Sequence, residues 1–290
     1  MKSGKHKRTV WMARFWSRSL TFGLVAMSLS VTYAHAQTAD LVSKTAFRVC
    51  ADPANSPISN KDGTGFENKI ARLFADDLGL PLEYTWFPMA TGFVRKTLFD
   101  FRCDVILGFA QGQGMVLSTN HYYTAPYVMV VHADSDLAGV ETLSDPRLKN
   151  HKLGLIAGSP PASHMARNGL LGQIKSYQLF VDRRFYSPNE EMLADLRKGT
   201  IDAAFMWGPI AGPLLKDKGD GLVLIPLLKE TLPPAMTYRI TMAVRPGDLV
   251  WKRKLNSLIR KDQKKIDAIL TSYGVPLLDD MGKHLKGDAP

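Results

Sequence analysis

The chain has 290 residues, 45% of them hydrophobic and 9% aromatic, which is enough apolar material for one large core or two ordinary ones and excludes a disordered chain. Two cysteines cannot staple a small loop-rich domain. The formal net charge of +10 is uneven: Lys2, Lys5, Lys7, Arg8, Arg14 and Arg18 precede residue 19, and no acidic residue precedes Asp40. Without that segment 31 basic side chains face 27 acidic ones, and a nucleic-acid partner loses its support.

In chain order the first element is an address. Residues 1–18 are basic, 19–33 are mostly apolar and uncharged, and Ala34-His35-Ala36 supplies a small-x-small cleavage pattern. That order reads as a secretory signal peptide over 1–36, cut before Gln37. Its apolar run of about 15 residues falls short of the roughly 20 that span a bilayer, so an uncleaved anchor is the alternative. No later stretch is apolar enough to span, and a soluble protein outside the cytoplasm is expected. There Cys50 and Cys103 are expected to bridge if their Cα atoms approach within about 7 Å; two buried thiols are the alternative.

Residues 37–45 read as a polar leader. Residues 47–51 read as a buried strand running into the loop Asp52-Pro53-Ala54-Asn55-Ser56-Pro57. A helix follows Gly65, with Phe66, Ile70, Leu73, Phe74 and Leu78 at helical spacing and Gly79 as its stop. A strand over 82–87, a helix over 91–101 and a strand over 103–108 complete the block. A second block repeats the alternation: strand 152–156, a helix near 163–171, strand 177–180, helix 189–198, strand 201–207, a helix from Gly208 to about Lys218, and strand 222–226. Two extended apolar stretches, 127–132 and 237–244, are candidates to carry the chain between blocks. A helix over 249–273 closes the chain, with Asp248 as N-cap and Gly274 as stop; lysines and arginines cover the side opposite its apolar positions. Strands alternating with helices through short loops predict two α/β lobes, the first built from both ends of the mature chain and the second inserted. Ligands of such folds sit beyond the carboxyl ends of the strands, here after Ala51, Phe87, Gly108, Ile156 and Trp207.

No catalytic pattern emerges. Gly112-Gln113-Gly114 lacks a third glycine, and His121, His132, His151, His164 and His284 have no metal-ligand spacing and read as surface or loop residues. Asp52 is the best-placed acid, although an Asp-Pro turn explains it equally well. The reading assigns no catalytic residue, no metal and no cofactor.

The segments FRVCADPANSPISNKDGTGFENKIARLFADDLG, RCDVILG, STNHYYTAPYVMVV and RKGTIDAAFMWGPIAG follow one another in an order that resembles the type II periplasmic solute-binding proteins, specifically the MxaJ/XoxJ branch encoded with methanol dehydrogenases. The resemblance covers nearly all of residues 45–275. It implies a two-lobed fold joined by two crossover strands, with 37–130 and 238–290 as the first lobe and 131–237 as the inserted one. It also implies a non-enzymatic periplasmic accessory of a methanol dehydrogenase that depends on pyrroloquinoline quinone (PQQ), with that enzyme's cytochrome c as a further partner, acting as a monomer. A transporter receptor for an uncharged or aromatic solute is the alternative.

Departures from the amino-acid-binding relatives carry the site prediction. Their carboxylate-clamping Arg falls, by the register of Tyr123-Thr124-Ala125-Pro126-Tyr127, on Leu117. Their ammonium-holding Asp falls, by the Gly199-x-x-Asp202 register, on Trp207. A zwitterion would lose both counter-charges, at several kcal/mol each. The predicted ligand or partner cleft comprises Asp52, Trp86, Phe109, Leu117, Tyr122, Tyr123, Tyr127, Ser159 and Trp207, with Ser159 opening a helix whose N–H groups suit an anion.

Overall fold

A computed structural model describes residues 41–112 and 114–287. The expected signal peptide lies outside them. In the first lobe, β1 (Phe47–Ala51), the short hairpin β2 (Ala54–Asn55) and β3 (Ser59–Asn60), α1 (Phe66–Leu78), β4 (Leu82–Trp86), α2 (Phe93–Lys96), β5 (Val105–Ala110) and β6 (Leu117–Ser118) precede the long β7 (Tyr123–His132). The second lobe adds β8 (Leu153–Ile156), α3 (Pro160–Arg167), β9 (Ile174–Tyr177), α4 (Pro188–Arg197), β10 (Ala203–Trp207), α5 (Gly208–Leu215) and β11 (Leu222–Pro226). The chain returns through β12 (Thr237–Val244) and ends on α6 (Leu249–Ser272).

Among the described residues ten strands join one sheet, in the order β4-β1-β5-β12-β7-β10-β8-β9, with β11 beside β7 and β6 beside β12. β1 pairs parallel with β4 and β5, and β8 parallel with β9 and β10, as helix crossovers require. β7 is shared. Tyr123–Pro126 faces β12, and the remainder pairs with β10 and β11. The sheet therefore continues from one lobe to the other through β7 and β12: this is the α/β, two-lobed type II fold.

Each lobe buries helices against both sheet faces. Phe47, Phe66, Phe74, Trp251 and Leu255 fill the first core, between the sheet and α1 and α6. In the second lobe Met165 of α3 packs on one face with Leu153 and Phe205, and Met192 and Leu196 of α4 pack on the other. At fully buried sites such as Phe66 and Phe205, apolar burial contributes about 1.5–3 kcal/mol per side chain. α1 stops where expected, because Gly79 takes the left-handed conformation at φ 65° that closes a helix cheaply only with glycine.

Three predicted elements are corrected. The helix over 91–101 is one turn, Phe93–Lys96, because the Thr97 hydroxyl caps the Phe93 carbonyl at 2.7 Å and the chain bends to bring Cys103 to Cys50. The strand over 177–180 lies instead at Ile174–Tyr177, because its partner β8 ends at Ile156 opposite Tyr177 and leaves Phe180 nothing to pair with. The helix near 163–171 starts at Pro160, since proline is tolerated in the first turn.

Cys50 and Cys103 form a disulfide, Cα to Cα 5.5 Å. Beside it the buried Asp104 takes Arg48 through two hydrogen bonds and Arg245 through a third, at 2.7–2.8 Å. Arg245 also pairs with Asp248, the N-cap residue of α6, at 2.7 Å. This network ties β1, β5 and the returning C-terminal segment together at one corner.

Candidate functional site

Between the lobes lies a cavity of about 430 Å³. β5 contributes Gly108 and Ala110, β7 Tyr127, β10 Trp207, and β12 Tyr238 and Ile240. From the second lobe come Ser159, Pro160, Asn189 and Ile210, with Leu179 and Arg183 on the loop after β9. Three rings make its waist. Tyr127 and Trp207 are 5.2 Å apart between centroids, and Tyr238 stands edge-on to both, at 6.2 and 5.8 Å. Burial pushes the Tyr127 phenol up, with the Tyr238 ring adding to it, so both stay neutral donors near neutral pH.

Among the described residues Arg183 is the single charged one of this lining, and it is already engaged. Its Nη1 donates to Asn55 Oδ1 at 2.6 Å and sits 3.8 Å from Asp52 Oδ2, so a side chain from the second lobe grips the loop after β1. Asp52 is buried and occupied as well, accepting from the backbone N–H of Ala54 at 2.9 Å and of Met89 at 2.8 Å. Among the described residues no carboxylate lines this cavity, so an ammonium group meets no counter-charge from them.

A wider recess of about 920 Å³ opens alongside, bounded by Asp52, Lys61, Met89 and the segment 179–184. Its rim carries a bare ring. Phe180 is 73% exposed, with Leu179 and Met89 of the same lining also exposed; Phe185, 84% exposed, and Tyr186 follow it on the loop.

No protein-family model matches the chain. Protein MoxJ of Methylorubrum extorquens is 28% identical over 284 residues, spanning 90% of this chain and 94% of that protein. The crystal structure of MxaJ from Methlophaga aminisulfidivorans MPT superimposes with a TM-score of 0.68 at 28% identity, over 80% of this chain and all of the other. That of the periplasmic binding protein XoxJ from Methylobacterium extorquens AM1 superimposes with a TM-score of 0.69 at 41% identity, over 81% of this chain and 100% of that one. The chain belongs to the XoxJ/MxaJ family of periplasmic binding proteins.

In this XoxJ/MxaJ family member the predicted site residues divide. Tyr127, Trp207 and Ser159 line the cavity, and Asp52 lines the neighbouring recess. The other five do not reach either. Phe109 points away from the cavity because its neighbours Gly108 and Ala110 point in, and it packs beside the disulfide instead. Tyr122 and Tyr123 are buried in the first-lobe core, 5.0 Å apart between rings. Leu117 sits on β6 against that core, opposite Val244, and Trp86 stacks on Tyr84 at 4.3 Å. Ser159 is oriented by its own hydroxyl, which donates to the Ile156 carbonyl at 2.6 Å. His164, expected at the surface, is buried on α3, 3.2 Å from Glu230 and 2.8 Å from the Pro234 carbonyl.

Sequence reasoning missed Tyr238 and Arg183. Tyr238 lay inside the crossover stretch, and its place follows from β12 pairing antiparallel with β7. Arg183 lay in the loop after a strand, where the strand-end rule pointed but the misplaced strand over 177–180 hid it.

Behind the Gly108 wall of the cavity stands Glu67, in the first turn of α1. It is 7% exposed, and burial pushes its carboxyl up to about 8 against a partial offset from Tyr122, whose hydroxyl donates to Oε1 at 3.3 Å. The Gly108 N–H in turn donates to that Tyr122 hydroxyl at 2.9 Å. A methyl group on Gly108 would fall 2.2 Å from Glu67 Oε1, on a backbone at φ +71°. Gly108→Ala is therefore expected to destabilise by about 3 kcal/mol or more through strain and overpacking together, seen as a lower denaturation midpoint; an unchanged midpoint would show that the carboxyl can move aside.

Proposed function

We propose that this protein is a non-enzymatic periplasmic accessory of a PQQ-dependent methanol dehydrogenase system, with residues 131–237 as the inserted lobe. The partner class rests on membership in the XoxJ/MxaJ family, which the sequence resemblance ties to methanol oxidation. The observation that carries the interaction reading is the mouth of the cleft. Phe180 stands exposed in the recess beside a cavity lined by Tyr127, Phe205, Trp207, Tyr238 and an arginine already bonded within the chain, and Phe185 is exposed farther along the same loop. Aromatic anchors in a concave surface with few competing charges are what protein interfaces concentrate. A small dipolar nutrient finds no acid there for its ammonium.

Co-purification from methanol-grown cells tests this. Tagged wild-type protein should retain the dehydrogenase. The Phe180→Ser/Phe185→Ser variant should recover about tenfold less at an unchanged melting temperature, because both rings are exposed and their removal costs the fold little. Equal recovery by both proteins would remove the cleft mouth from the interface, and absence of the dehydrogenase from the wild-type sample would remove the function. The second reading, a receptor for an uncharged or aromatic solute, draws on the cavity of about 430 Å³ walled by Tyr127, Trp207 and Tyr238. A small aromatic metabolite that raised the melting temperature by several degrees in wild type and not in Trp207→Ala would favour it over the first.

A further inference from the structure

The positive charge of the chain after residue 36 is not spread over its surface. α6 carries seven basic residues, Lys252, Arg253, Lys254, Arg260, Lys261, Lys264 and Lys265, against Asp262 and Asp267, a net +5. The whole of residues 37–290 amounts to +4, so everything outside α6 sums to −1. One helix holds the entire excess.

Its geometry concentrates that charge further. At 100° per residue, Leu249, Arg253, Ser257, Arg260 and Lys264 fall on one exposed stripe, about 20 Å long, with Val250 and Lys254 along its flank. Lys261 is neutralised by Asp77 at 2.5 Å and Lys265 by Asp262 at 2.8 Å, while Arg253, Lys254, Arg260 and Lys264 form no ion pair among the described residues. The stripe begins on bare apolar surface, with Leu249 51% and Val250 59% exposed. The opposite face of α6 is fully used: Trp251, Leu255, Leu258, Ile259, Ile266 and Leu270 are buried in the first-lobe core.

We infer that the outward face of α6 docks an acidic protein surface that presents an apolar side chain to Leu249 and Val250. Three unpaired cations along the stripe and a fourth on its flank complement carboxylates and steer encounter, and the aliphatic pair supplies the desolvated anchor that charge alone lacks. A lipid surface is the poorer occupant, since the apolar face that would insert is buried in the core. This surface is independent of whatever occupies the cleft.

The test uses the purified mature protein and a fluorescent peptide of about twelve residues, alternating Glu and Ser around one central Leu, read by anisotropy. Arg253→Glu/Arg260→Glu/Lys264→Glu should weaken binding at least tenfold and flatten its salt dependence. Leu249→Ser/Val250→Ser should weaken it about threefold with the salt dependence retained. A control of equal charge change at exposed sites elsewhere, Lys44→Glu/Lys149→Glu/Lys198→Glu, should change affinity less than twofold. Melting curves for all variants confirm folding, and these side chains are exposed. Equal losses in the control and in the α6 variant would overturn the proposal, as would peptide binding indifferent to the α6 reversal. So would sedimentation with phosphatidylglycerol vesicles tighter than peptide binding and lost in the same α6 variant.

Discussion

Between about pH 5 and about pH 9 the wild-type protein should lose several kcal/mol of unfolding free energy that the Glu67→Gln variant keeps. The sign follows from two proton affinities. In the unfolded chain the Glu67 carboxyl has its ordinary value of 4.5, and in the fold it is pushed up to about 8 because burial penalises the anion. Across that window the folded state holds a proton the unfolded state has released. The stabilisation is whole below 4.5, declines as pH rises, and is gone above about 8. A displacement of that size corresponds to roughly 5 kcal/mol at about 1.4 kcal/mol per unit. Glutamine keeps an acceptor for the Tyr122 hydroxyl and cannot ionise. Urea unfolding at both pH values measures the difference. Parallel pH profiles for the two proteins would show that Glu67 ionises in the fold as it does in water. The neighbouring phenols do not confuse the reading, since burial drives Tyr122 and Tyr123 well above their ordinary value.

Cys50→Ala/Cys103→Ala should cost about 4 kcal/mol and lower the melting temperature by roughly 10 °C. The bridge spans 53 residues, and a loop of that length frees considerable conformational entropy in the unfolded chain once it is cut. The fold itself should persist. Asp104 remains clamped between Arg48 and Arg245 whether or not the sulfurs are joined, and Trp251 Nε1 still donates to the Asp104 carbonyl at 3.1 Å. A near-native near-ultraviolet spectrum with a much lower melting temperature is the expected pair of results. A loss under about 2 °C would mean that the charged corner, not the bridge, carries this region.

The elements that were legible are those whose signal is local. Phe66, Ile70 and Phe74 recur at helical spacing between two glycines, and α1 begins and ends within a residue of its expected place. β11 and β12 match their expected spans outright, because a run of β-branched and aliphatic residues between loops has few alternatives. The helix over 91–101 failed for a non-local reason: its residues suit a helix, and the tether from Cys103 to Cys50 outweighs that preference. Site residues divide the same way. Trp207 and Tyr127 line the cavity, where strand ends point, whereas Tyr122 and Tyr123 are buried in the core, because a Tyr-Tyr pair looks the same at a cleft as in a core.

Composition and order alone determined that the chain alternates strands and helices in two α/β blocks and that its basic excess after residue 36 is small. Periodicity is a property of neighbours along the chain, so it survives reading in one dimension. Which residues meet was decided only by the tertiary structure. Arg183 reaches Asn55 across 128 positions, Tyr238 joins Tyr127 and Trp207, and Glu67 is shut behind Gly108, where burial pushes its carboxyl up. Those facts depend on how the sheet curls through β7 and β12 and on what burial costs an ion, and neither is written in any single segment.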